Sequence, residues 1–118
     1  MSKNLNISIL MDFYGQLLTD KQYDAMDLYY NQDLSLAEIA EDSGISRQGV
    51  HDAIKRGEKQ LEELEEKLGL AARFAAVSRQ VEKIKTLIDE IEEKNISPEL
   101  RDKLLEIKRL SEGFEDVI

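Results

Sequence analysis

The 118-residue chain contains no cysteine, which removes disulfides, thiolate metal sites and thiol nucleophiles from consideration. It has a single histidine, His51, so a metal centre would lack the second and third ligands that such a site requires. Proline occurs once, at Pro98, and the six glycines stand mostly near expected helix ends. Long stretches are therefore left without a helix breaker. No segment reaches the ~20 consecutive apolar residues that crossing a bilayer demands, and Met1 to Leu10 carries no charged leader followed by an apolar run. The protein is therefore expected to be neither exported nor membrane-embedded, with the cytoplasm as its compartment. Cations are also in short supply: 16 Lys and Arg face 25 Asp and Glu, for a net charge of −9. Nonspecific affinity for nucleic acid comes from neutralising phosphates with Lys and Arg, so any nucleic-acid site must be local.

What the chain does have is helix-forming material. Hydrophobic residues make up 42% and charged residues 35%, enough to build a core while coating long solvated helix faces. The length suits one core, or one core with a helical extension. These features predict an all-α fold.

Ile7, Leu10, Met11, Tyr14, Leu17 and Leu18 recur at three- and four-residue steps, predicting a first helix with one apolar face. Thr19 and Gln22 have capping-box spacing and open a second helix, with Tyr23, Met26, Leu28 and Tyr30 as its apolar positions and its end near Asn31. Ser35 and Glu38 repeat the box before a short helix through Leu36, Ile39 and Ala40 that must stop near Gly44. Ser46 caps the next helix. Val50, Ile54, Gly57, Leu61, Leu64 and Leu68 follow at heptad spacing, predicting one long rod to Gly69. A second such series, Phe74, Val77, Val81, Ile84, Ile88 and Ile91, predicts a helix ending near Asn95. Ser97 with Pro98 starts the last helix, faced by Leu100, Leu104 and Ile107, with fraying beyond Gly113. The run from Glu58 to Lys67, rich in Glu and Lys, reads as a solvated helix face.

The most informative stretch runs from Leu36 to Arg56: short helix, tight turn, second helix. Two helices crossing at about 90–120° over a three- to four-residue turn need a small residue at their approach and a glycine that accepts positive φ. Ala40 and Gly44 supply these. Ile39, Ile45, Val50 and Ile54 would fill the wedge, leaving the opposite face of the second helix free. That face carries Ser46, Arg47, Gln48, His51, Asp52 and Lys55, with Arg56 beside it. Arg47 suits a bidentate contact to guanine and Gln48 one to adenine, while Lys55, Arg56 and the amides at the helix start suit phosphates. Ser46, Arg47, Gln48, His51, Lys55 and Arg56 are the candidate nucleic-acid-binding set, with Asp52 and Glu58 working against phosphate.

At Gly44-Ile-Ser-Arg-Gln-Gly-Val the chain resembles the turn and promoter-reading helix of region 4 of bacterial sigma factors, over about half its length. It departs from that pattern at Gly49, where a bulkier helix former is expected and glycine costs ~1 kcal/mol. The segments Met11-Asp-Phe-Tyr-Gly-Gln-Leu-Leu-Thr-Asp-Lys-Gln and Tyr29-Tyr-Asn-Gln-Asp-Leu-Ser-Leu-Ala-Glu-Ile-Ala resemble a narrower group, the YlxM family of Firmicutes, across nearly the whole chain. The resemblance implies a small helix-turn-helix protein whose gene usually neighbours components of the signal recognition particle, and hence an accessory or regulatory role in that pathway.

Enzyme function finds no support. His51 is a lone histidine on an exposed face, the carboxylate pairs Glu62/Glu63 and Glu92/Glu93 diverge around a helix, and there is no glycine-rich phosphate loop. No cofactor or metal is expected. The expected organisation is a sigma region 4-like helix-turn-helix bundle at residues 1–69, with an extended recognition helix, and a C-terminal helical hairpin at residues 70–118 for packing or dimerisation. The heptad stripes must be covered, by one another in a monomeric bundle or by a second copy in a homodimer, which is the partner expected here. Other expected partners are DNA or signal recognition particle RNA. The competing reading is an acidic protein-interaction module that docks a basic protein such as the targeting GTPase, with the helix-turn-helix as scaffold.

Overall fold

The computed structural model describes residues 6–114, and the protein is all-α across them. The order is α1 (Asn6–Tyr14), a 3₁₀ turn (Gly15–Leu17), α2 (Asp20–Tyr30), α3 (Leu36–Ser43), α4 (Arg47–Leu68), α5 (Leu70–Glu92) and α6 (Pro98–Gly113). Local chemistry sets the boundaries. Thr19 with Gln22 and Ser35 with Glu38 form complete capping boxes, and the hydroxyls of Ser46 and Ser97 accept from the N–H groups of Gly49 and Leu100. Each satisfies backbone donors that a helix start leaves orphaned. Gly44 ends α3 at φ 74° and Gly69 ends α4 at φ 63°, the left-handed conformation that costs other residues about 1–2 kcal/mol.

The chain divides into two compact units, Met1–Ala71 and Ala72–Ile118. In the first, α4 is the central rod on which α1, α2 and α3 all pack. Its buried stripe is Val50, Ala53, Ile54, Gly57 and Leu61, matched by Ile7, Met11 and Tyr14 of α1, Met26 of α2 and Ile39 of α3. Gly57 lets α2 come close, because a β-carbon there would collide with Met26 Sδ. Tyr14 ties the far end of α4 to the start of α5. Its hydroxyl donates to Glu65 Oε1 at 2.6 Å and accepts from the Leu70 N–H at 3.1 Å, while Glu65 Oε1 also accepts from the Ala71 N–H at 3.0 Å. Burial and the hydrogen bond to Glu65 hold the Tyr14 phenol above its ordinary pKa.

Two expected apolar positions are corrected. Leu17 and Tyr23 are 59% and 40% exposed. For Leu17, the helix gives way after Tyr14 to a 3₁₀ turn that breaks the 3.6-residue phase on which its burial was predicted; Tyr23, on α2, sits at the rim with its ring against Gly15. The inward positions of α2 are Ala25, Met26 and Tyr29.

In the second unit α5 and α6 run antiparallel. The Lys108 ammonium donates to Asp89 Oδ1 at 3.0 Å, and the rings of Phe74 and Phe114 stack at 6.0 Å and 16°. The hydrogen bond to Asp89 holds the Lys108 pKa above its usual value. Val81, Ile88 and Leu104 are buried, whereas Val77, Ile84, Ile91, Leu100 and Ile107 from the same predicted faces are exposed. Of the fraying expected beyond Gly113, residues 115–118 lie outside the described residues.

Candidate nucleic-acid interface

Three residues, Gly44, Ile45 and Ser46, separate α3 from α4. Gly44 reverses the chain, half-buried Ile45 packs against the core, and Ser46 starts the next helix. Val50 and Ile54 are fully enclosed, which fixes the roll of α4 and turns its other side to solvent. At about 100° per residue, Gln48, Asp52, Lys55 and Lys59 fall along the middle of that side. Arg47 and Arg56, nine positions apart, lie on opposite flanks of the rod.

Each predicted site residue has a definite setting. Ser46 is committed to the helix start, its Oγ accepting from the Gly49 N–H at 2.9 Å. A β-carbon at residue 49 would come within 3.1 Å of that oxygen, so the glycine leaves room for the cap. Arg47 is exposed at the edge of a shallow depression lined by Tyr29, Asp33, Ser35 and Glu38. Gln48 donates through Nε2 to Asp52 Oδ1 at 2.9 Å, and His51, half-buried rather than exposed, has its buried Nδ1 3.5 Å from the same oxygen. Lys55 pairs with Glu58 at 3.5 Å, and Glu58 also accepts from the Tyr30 hydroxyl. Arg56 is exposed, and among the described residues neither it nor Arg47 makes an ion pair.

Lys59, which sequence reasoning left out, is exposed on the same side, four residues after Lys55 and three after Arg56. That spacing was its signal. Residues 47–59 thus carry four cations, Arg47, Lys55, Arg56 and Lys59, against Asp52 and Glu58. The supporting helices are of the other sign: α2 and α3 together hold six carboxylates, Asp20, Asp24, Asp27, Glu38, Glu41 and Asp42, against Lys21 alone. Within the first unit the positive character gathers on this stretch of α4, while α5 carries a second set, Arg73, Arg79, Lys83 and Lys85.

The profile of the UPF0122 family, YlxM/p13-like helix-turn-helix proteins, matches residues 1–108. The chain belongs to the UPF0122 family. UPF0122 proteins of Acetivibrio thermocellus, Thermoanaerobacter sp. and Bacillus cereus are similar to it along most of their lengths. The first is 42% identical over 118 residues, covering 100% of this chain and 98% of its own. The second is 48% identical over 105 residues, 89% and 90% of the two chains. The third is 46% identical over 110 residues, 93% and 98%. The helix-turn-helix of this UPF0122 member is the α3–Gly44–α4 unit described above, and the resemblance to YlxM proteins seen in the sequence holds. No helix among the described residues is long and apolar enough to cross a membrane. Among those residues, no group of three or more His, Cys, Asp or Glu is placed to hold a metal ion.

Proposed function

We propose that the protein is a cytoplasmic, non-enzymatic nucleic-acid-binding regulator that reads its target with the first half of α4, as an accessory of the signal recognition particle pathway. The contacts are assigned to Ser46, Arg47, Gln48, His51, Lys55 and Arg56. The observation that carries the reading is the roll of α4, with Val50 and Ile54 enclosed and Arg47, Gln48, Lys55 and Arg56 exposed. The net charge of −9 weakens long-range attraction but does not forbid a local site, since free charges are screened beyond about 10 Å at 0.1 M salt. Fluorescence anisotropy with a labelled duplex DNA and with signal recognition particle RNA tests it. Arg47→Ala with Lys55→Ala should abolish tight binding and lower the duplex salt slope by about 0.9 for each phosphate left without its cation. Equal binding by this variant, or none by the parent at low salt, refutes the proposal.

The second unit completes this reading as a homodimerisation element. Two copies joined through α5 and α6 would carry two reading helices, one for each half of a repeated target. A monomer in sedimentation at tens of micromolar would remove the dimer.

A second reading draws on the carboxylates. Gln48 is engaged by Asp52 and Lys55 by Glu58, while α2 and α3 present an acidic surface. Both suit docking of a basic protein partner, such as the targeting GTPase of the particle, with the helix-turn-helix as scaffold. In a pull-down, capture that survives nuclease and the Arg47/Lys55 double substitution favours this alternative.

A further inference from the structure

We infer that the open face of the α5–α6 hairpin is covered by a second copy of the chain, with the two α5 helices antiparallel and Lys83 of each copy against Glu90 of the other. The inference rests on the dimer reading above and specifies its geometry.

The face follows from register. On α5, Val81 and Ile88 are 6% and 4% exposed, while Val77, Ile84 and Ile91 are 39%, 41% and 39% exposed. The exposed positions stand four residues before or three after the buried ones, rotated by about 40–60° in one sense. On α6, Leu100 and Ile107, each 46% exposed, stand in the same relation to buried Leu104. Between antiparallel rods, rotation in the same sense brings both stripes to the same side of the hairpin. The result is one contiguous apolar face, widened by Leu87 at 49% exposure. A face of this kind marks an interaction site.

Charge selects the occupant. Lys83 and Glu90 border the stripe on α5, opposite in sign and one heptad apart, both exposed and without an ion pair among the described residues. They cannot pair within the helix, because seven residues separate them by about 10 Å along the axis. Two α5 helices antiparallel about a two-fold axis near residues 85 and 86 place Ile84 against Leu87 of the other copy. Lys83 then meets Glu90 twice, the flanking-position pairing that sets orientation in coiled coils. A parallel pair would instead bring lysine level with lysine and glutamate level with glutamate. Two hairpins joined this way close a four-helix bundle.

The absence of cysteine makes the test clean. In the full-length protein, Lys83→Cys and Glu90→Cys are made separately, mixed in equal amounts and treated with a short bis-maleimide. Covalent dimer should form strongly in the mixture and weakly in either variant alone. Sedimentation equilibrium should show K83E or E90K alone weakening the dimer about tenfold, with the K83E/E90K chain returning close to the parent. Cross-linking of K83C alone as efficient as the mixture overturns the antiparallel register while leaving a dimer. A parent chain that sediments as a monomer overturns the dimer reading itself.

Discussion

Replacing Gly57 with alanine tests whether a close approach of α2 to α4 holds α4 in place. In an ordinary helix interior the change stabilises by about 1 kcal/mol, because alanine loses less backbone freedom on folding. Here the added methyl would occupy the space of Met26 Sδ, and Met26 is 0% exposed. Forcing a methyl into a filled core costs about 1–3 kcal/mol, so the two effects leave a net loss of about 1 kcal/mol. For a small domain that lowers Tm by roughly 4–8 °C. Met26→Ala alone should cost about 2–5 kcal/mol. In the double variant, the Gly57→Ala methyl enters the space Met26 vacated, and the propensity gain is realised in full. The pair should therefore be coupled, the double being less destabilised than the sum by about 2 kcal/mol. Urea unfolding followed by far-ultraviolet circular dichroism measures all three variants. If Gly57→Ala raises stability by about 1 kcal/mol with no coupling to Met26, the thioether swings aside freely and the contact does not hold α2 against α4.

Other substitutions probe single joints. Gly44→Ala must hold a β-carbon at φ 74° and should cost about 1–2 kcal/mol in thermal unfolding, with Gly44→Asn costing less. Tyr14→Phe leaves the Leu70 N–H without its acceptor, a loss of about 1–3 kcal/mol, and should speed amide hydrogen exchange at Leu70. Because the folded phenol has a raised pKa, the unfolded chain releases that proton first. Parent stability should therefore be full below about pH 10 and fall above it, and Tyr14→Phe should remove that part of the decline. Glu58→Gln frees Lys55 from its ion pair and should tighten nucleic-acid binding in the anisotropy assay, whereas a scaffold that docks basic proteins would bind its partner less well.

The features legible in the sequence are those encoded within about four residues. Ser35 with Glu38, Gly44, Ser46, and Ser97 with Pro98 each act on backbone groups in their own turn, so the boundaries of α3, α4 and α6 follow from local hydrogen bonding. Phase was lost where backbone geometry changed: the 3₁₀ turn Gly15–Leu17 carries Leu17 out of the core, and Gly15 was its one local signal. The members of the heptad series along α5 are equally apolar on paper. Only tertiary packing separates the inner Val81 and Ile88 from the outer Val77, Ile84 and Ile91. Gly57 reads as a weak member of a leucine repeat until Met26, 31 positions away, is found against it.

At the candidate interface, residue type and helical period single out Arg47, Lys55 and Arg56 but do not say how they divide. Their division follows from the roll of α4. A helix with side chains is about 10–12 Å across, close to the width of a duplex major groove. A rod lying in such a groove turns opposite flanks to the phosphates of opposite strands, and Arg47 and Arg56 stand on opposite flanks. A flat protein surface would reach only one of them. Binding losses from Arg47→Ala and Arg56→Ala should therefore add on a groove, each removing about 0.9 from the salt slope. A basic partner docked on the carboxylates of α2 and α3 would use neither, so comparing the single variants decides between the competing readings from the geometry of one helix.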